Sequence, residues 1–171
     1  AAGAAAGLFQ LADRYATARP LPSGTTVVKP RLGLRMLDSG AIGVQPDAEA
    51  WSKGDDYSHN NHAFANAILA DAPYVDPVAM AKDSADFRAF VDHGVAQGYN
   101  AIAINGFLEY LTFSEVGDGN QVYAAGDVHR ERALAMRKAF GPMLEYARTM
   151  GMKLVLKTDM LALTTPLEQY L

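Results

Sequence analysis

Three carboxylates in this chain, Asp38, Glu109 and Asp159, stand just after short apolar runs, and each has a cation or an amide close by in sequence. Arg35 precedes Asp38, Asn105 precedes Glu109, and Lys157 precedes Asp159. Such residues can do polar recognition or proton transfer: a carboxylate serves as base or accepts from a hydroxyl, and a guanidinium offers a fork of donors. Asn105 can donate to one hydroxyl and accept from its neighbour, although an asparagine before Gly106 equally suits a turn. Glu109, next to Tyr110, reads as a base or hydroxyl ligand, or as a solvated loop residue. Lys157 and Asp159 are two apart, so strand alternation aims them to one side together, either to line a pocket or to form a structural ion pair. Arg35 and Asp38 can likewise simply pair with each other.

Trp51, the only tryptophan, lies in the polar stretch WSKGDDYSHNNH. It could offer a flat apolar platform to a ligand, or pin a long loop to the core. His59 and His62 are of metal-ligand type but have no third ligand at a recognisable spacing, so no metal is expected. There is no Walker loop, no G-x-G-x-x-G after a strand and no G-x-S-x-G elbow, so no nucleotide cofactor and no serine nucleophile are expected.

The totals exclude further classes. The net charge of −4, with Lys and Arg scattered over 171 residues, argues against nucleic acid as a partner. No run approaches the roughly 20 apolar residues of a membrane span, and zero cysteines leave no disulfide or thiolate site. The opening AAGAAAG lacks the features of a secretion signal; the compartment stays open, with a secreted or periplasmic location preferred.

The candidate residues are placed by a repeated device. GYNAIAIN (98–105) and GMKLVLK (151–157) both follow helical patterns and both read as glycine, one residue, a polar residue, then an apolar run. The glycine ends a helix and the apolar run enters a parallel sheet with both faces covered. Strands are expected at 32–37, 101–105 and 153–157.

The first helix is predicted over AAGAAAGLFQLADRYATA, with Leu8, Leu11, Ala12 and Tyr15 as its apolar face. The second runs through DSADFRAFVDHGVAQG, capped by Asp83 or Ser84, with Phe87, Phe90, Val91 and Val95 on one face. The third, RERALAMRKAFGPMLEYARTMG, shows Met136, Phe140, Met143, Leu144, Ala147 and Met150 on one face, with a break or kink at Gly141-Pro142. A short helix is possible around residues 63 to 70. Strands alternating with helical crossovers make the class α/β. The segments leaving the strands, 38–82 and 106–129, are very long, and in parallel α/β architectures such loops build the functional site at the carboxyl ends of the strands.

GLFQLADRY, VVKPRLGLRMLD, GYNAIAIN and EYARTMGMKLVLKTDM, in that order, resemble the junction between the small N-terminal α/β domain and the (β/α)8 barrel in glycoside hydrolases of the α-glucuronidase and β-N-acetylhexosaminidase type. The resemblance implies that residues 1–29 are the last helix and linker of a small α/β domain, and that 30–171 form the first three βα units of a TIM-type barrel. It implies a carbohydrate substrate, with Arg35 holding sugar hydroxyls and Asp38, Asn105, Glu109, Lys157, Asp159 and Trp51 as further substrate-binding residues. Glycosidases need two carboxyls about 5 to 10 Å apart; Asp159 and Glu109 could be such a pair, but the resemblance places the acid after a later strand. A barrel also needs eight strands and about 250 residues, so the chain is expected to be an incomplete fragment that needs the rest of its polypeptide for closure. The alternatives are a noncatalytic carbohydrate-binding barrel, or a small complete α/β module of unrelated function.

Overall fold

The structure is a computed structural model describing residues 2–25, 27, 29–40, 42–43, 63–105, 110–116, 119–157 and 165–170. It is α/β. In chain order come α1 (Ala2–Ala16), β1 (Met36–Asp38), a 3-10 turn (Ala65–Ala67), α2 (Pro77–Ala96), β2 (Ala101–Asn105), α3 (Val128–Thr149), β3 (Lys153–Lys157) and α4 (Thr165–Tyr170). The strands lie side by side in the order β1-β2-β3, all parallel, with Met36 opposite Ala101 and Ala101 opposite Lys153.

Both glycine turns expected from the repeat are present. Gly98 and Gly151 have φ of 87° and 86°, the left-handed region that glycine enters without a Cβ penalty. At the first turn Gly98 N donates to Val95 O and Tyr99 N to Gly94 O; at the second Gly151 N donates to Arg148 O and Met152 N to Ala147 O. Each pair is a Schellman closure that satisfies the last carbonyls of a helix.

The asparagine of GYN then fastens the sheet. Asn100 Oδ1 accepts from Arg35 N and Asn100 Nδ2 donates to Gly33 O, both at 2.8 Å. Its amide thus imitates a backbone peptide and holds the chain entering β1.

The core lies between the sheet and two helices. Phe87, Val91 and Val95 of α2 and Met136, Phe140, Met143 and Ala147 of α3 are buried, on the faces that helical spacing predicted. They meet Ile102 and Ile104, while Leu37 and Leu154 pack at the edge of the same cluster. Each such buried side chain contributes about 1.5–3 kcal/mol.

Several expectations need correction. Alternation turns Leu37, Ile102, Ile104 and Leu154 to α2 and α3, and Met36, Asp38, Ala101, Ala103, Lys153, Val155 and Lys157 to the other side, where Ala101 and Ala103 are buried. Met36 and both lysines of β3 are exposed there. The first strand is Met36–Asp38 rather than a buried 32–37: Gly33 O and Arg35 N are bonded to the Asn100 side chain, and backbone pairing begins only at Arg35 O, which accepts from Asn100 N and Ala101 N. Leu32 and Leu34 are exposed.

Helix α1 presents the opposite face to that expected. Ala5, Ala6 and Phe9 pack towards the core, whereas Leu8, Leu11 and Tyr15 are exposed; small residues allow the closest approach to α2. Helix α2 starts six residues before Asp83. Asp76 is its cap, accepting from Val78 N at 2.8 Å and Ala79 N at 3.2 Å, with Pro77 in the first turn where its missing N–H costs nothing. Helix α3 runs unbroken through Pro142; Phe140 and Met143 are anchored in the core on either side of it. The short helix around 63 to 70 is a single 3-10 turn.

Candidate functional site

At the carboxyl ends of the strands the sheet face turned away from α2 and α3 brings two predicted residues together. Lys157 Nζ lies 3.8 Å from Asp38 Oδ2, with both side chains more than half exposed. β2 passes between them, and Asp38 is opposite Ala103 in register. Asp38 Oδ1 also accepts from Gly40 N at 2.8 Å, which fixes its carboxylate. Ser39 extends the strand end, its N and Oγ both donating to Ala103 O at 3.1 and 2.8 Å. The result is a fixed acceptor beside a donor on an accessible surface.

Asn105 is opposite Lys157 in register, so its backbone belongs to the same rim. Its side chain lies outside the described residues, as do Trp51, His59, His62, Glu109 and Asp159.

Arg35 does not belong to this rim. It precedes β1, at the amino-terminal end of the sheet, where its Nε donates to Gly98 O at 2.6 Å and its guanidinium also donates to Leu32 O. A cation there complements the carboxyl end of α2. The expected sugar contact is displaced by one strand length, because the strand begins at Met36 and not at Leu32. The alternative pairing with Asp38 does not form either; Asp38 meets Lys157.

A second cleft, about 610 Å³, opens on the helix side of β3. It is walled by Ile104, Leu156, Phe140 and Leu144 and by the 110–116 segment, with Arg137 among its lining residues. It is apolar and lies on the opposite side of the sheet from Asp38 and Lys157, so the polar rim is the better candidate for chemistry. Among the described residues no group of three or more His, Cys, Asp or Glu could hold a metal, and no helix is long and apolar enough to cross a membrane.

Two further polar clusters were not singled out by sequence reasoning. On the outer helices the Tyr146 hydroxyl donates to Asp92 Oδ1, and the Arg88 guanidinium lies 4.9 Å from the Tyr146 ring centre. Burial, then the hydrogen bond and charge of Asp92, push the Tyr146 hydroxyl up to about 12. Beneath the loop that follows β1, Asp83 is fully buried and takes Asn66 Nδ2 on Oδ1 at 3.2 Å. The Asp-Pro pair at 76–77 was the available signal that Asp83 is not a cap.

Comparison with protein-family models, with curated proteins and with solved structures found no match. The class that fold and rim define is therefore a parallel α/β protein with a polar carboxyl-end rim.

Proposed function

We propose that the rim carrying Asp38 and Lys157 binds the hydroxyls of a sugar, as one wall of a glycoside hydrolase barrel whose first three βα units these residues form. The carrying observation is the position of that pair. It stands at the carboxyl ends of consecutive parallel strands, on the sheet face turned away from α2 and α3; the carboxyl end is where parallel barrels place ligands. A sugar hydroxyl can donate to the Asp38 carboxylate while its neighbour accepts from the Lys157 ammonium.

One observation favours a second reading, a noncatalytic carbohydrate-binding barrel. Among the described residues of the sheet face turned away from α2 and α3, Asp38 is the single carboxylate, whereas glycoside hydrolysis uses two. Incubation with aryl glycosides and aryl uronosides, alongside sugar-binding measurements, separates the readings. Turnover supports the hydrolase, binding without turnover supports the second reading, and neither binding nor turnover refutes both.

A further inference from the structure

Among the described residues no hydrogen-bond partner reaches two buried oxygens, Asn66 Oδ1 and Asp83 Oδ2. Both lie against one point: a Cβ built on Gly43 would strike each of them, and would come within 2.8 Å of Phe64 Cα. The other half of the same contact is made, with Asn66 Nδ2 donating to Asp83 Oδ1 at 3.2 Å. Amide and carboxyl are therefore joined on one side by a hydrogen bond, and on the other each turns an oxygen towards the same point beside Gly43. Buried polar atoms are nearly always satisfied, and these two acceptors satisfy each other when the carboxyl carries a proton.

We propose that Asp83 is held as a neutral carboxylic acid whose proton is donated to Asn66 Oδ1, closing a two-bond acid–amide pair under Gly43 that fastens the loop after β1 to α2 in a pH-dependent way. The surroundings favour this. Burial pushes the Asp83 carboxyl above its ordinary value, against the opposing influences of the Asn66 amide and Lys82, and Asp86 adds to the rise. Lys82 is engaged outwards with Asp86 at 2.7 Å. Among the described residues, the other elements bring Asn66, Gly43 and Phe64 to the pair, none of them ionisable.

The pair closes the loop in two further ways. Phe64 N donates to Ile42 O at 2.8 Å and Asn66 N to Gly43 O at 3.0 Å, and Phe64 is held at φ 64°, a conformation a bulky residue keeps only when its surroundings impose it. Losing the proton would set a carboxylate against Asn66 Oδ1 and release these contacts.

The test is a carboxyl-carbon NMR titration of the chain, joined to amide exchange and melting curves across pH for the natural protein and for Asp83→Asn. An amide at 83 can still donate to Asn66 Oδ1 and accept from Asn66 Nδ2, so it mimics the neutral acid. The proposal expects Asp83 to titrate above the exposed carboxylates in the same spectrum. It also expects protection of the Phe64 and Asn66 amides to fall through that transition in the natural protein, and to stay level in Asp83→Asn. An Asp83 that titrates with or below the exposed carboxylates overturns it, and so does an Asp83→Asn variant that keeps the pH-dependent loss. Should Asp83→Asn not fold, the carboxyl titration of the natural protein alone decides.

Discussion

Lys157 and Asp38, on strands that are not neighbours, meet 3.8 Å apart across β2. Ala103 of β2 stands opposite Asp38 in register, and Asn105 opposite Lys157. The pair is more than half exposed, so its Coulomb attraction is screened and it contributes at most about 1 kcal/mol to stability. A contact worth so little to stability is compatible with the ligand role proposed for it.

That assignment predicts a separation of effects. Asp38→Asn and Lys157→Ala should each change the unfolding free energy by under about 1 kcal/mol, measured by urea denaturation. Each should nonetheless weaken sugar binding by about tenfold, the loss of one charge-assisted hydrogen bond, measured by titration calorimetry.

Asn100 is a structural residue with two backbone partners, Arg35 N and Gly33 O. Asn100→Ala should destabilise the fold by about 1–3 kcal/mol, because it frees the chain entering β1. Asn100→Asp keeps the acceptor for Arg35 N and should cost less than alanine if the Arg35 bond dominates. Denaturant midpoints of the two variants check the order.

Tyr146 should titrate at about 12, well above an ordinary tyrosine. Its folded value is raised, so the stability it contributes is present below the ordinary tyrosine range and is lost as pH rises through about 12. Ultraviolet absorbance of tyrosinate across alkaline pH should show one late step, which moves down in Asp92→Asn. A Tyr146 that ionises with the exposed tyrosines would contradict the Asp92 hydrogen bond.

Much of the frame was legible in the sequence for local reasons. Gly98 and Gly151 mark their turns because the Schellman closure needs a left-handed residue and uses only neighbouring atoms. The faces of α2 and α3 follow from helical spacing alone. What depended on packing was less legible. Leu8, Leu11 and Tyr15 form as good a stripe as Ala5, Ala6 and Phe9, and only the close approach to α2 selects the smaller set. Arg35 moved from the rim to the base of the sheet because Asn100, 65 residues later, delays the start of β1. The Asp83–Asn66 pair depends on Gly43 approaching both side chains, which no periodicity records.

The central claim is that the carboxyl ends of the strands form a sugar site, and backbone amide NMR of the chain titrated with neutral, amino and uronic sugars tests it most directly. The account predicts saturable shifts concentrated at Asp38, Ser39, Asn105 and Lys157, abolished in a Asp38→Asn, Lys157→Ala double variant. Shifts gathered instead around Ile104, Phe140 and Leu144, or no saturable shift with any of these sugars, would contradict it.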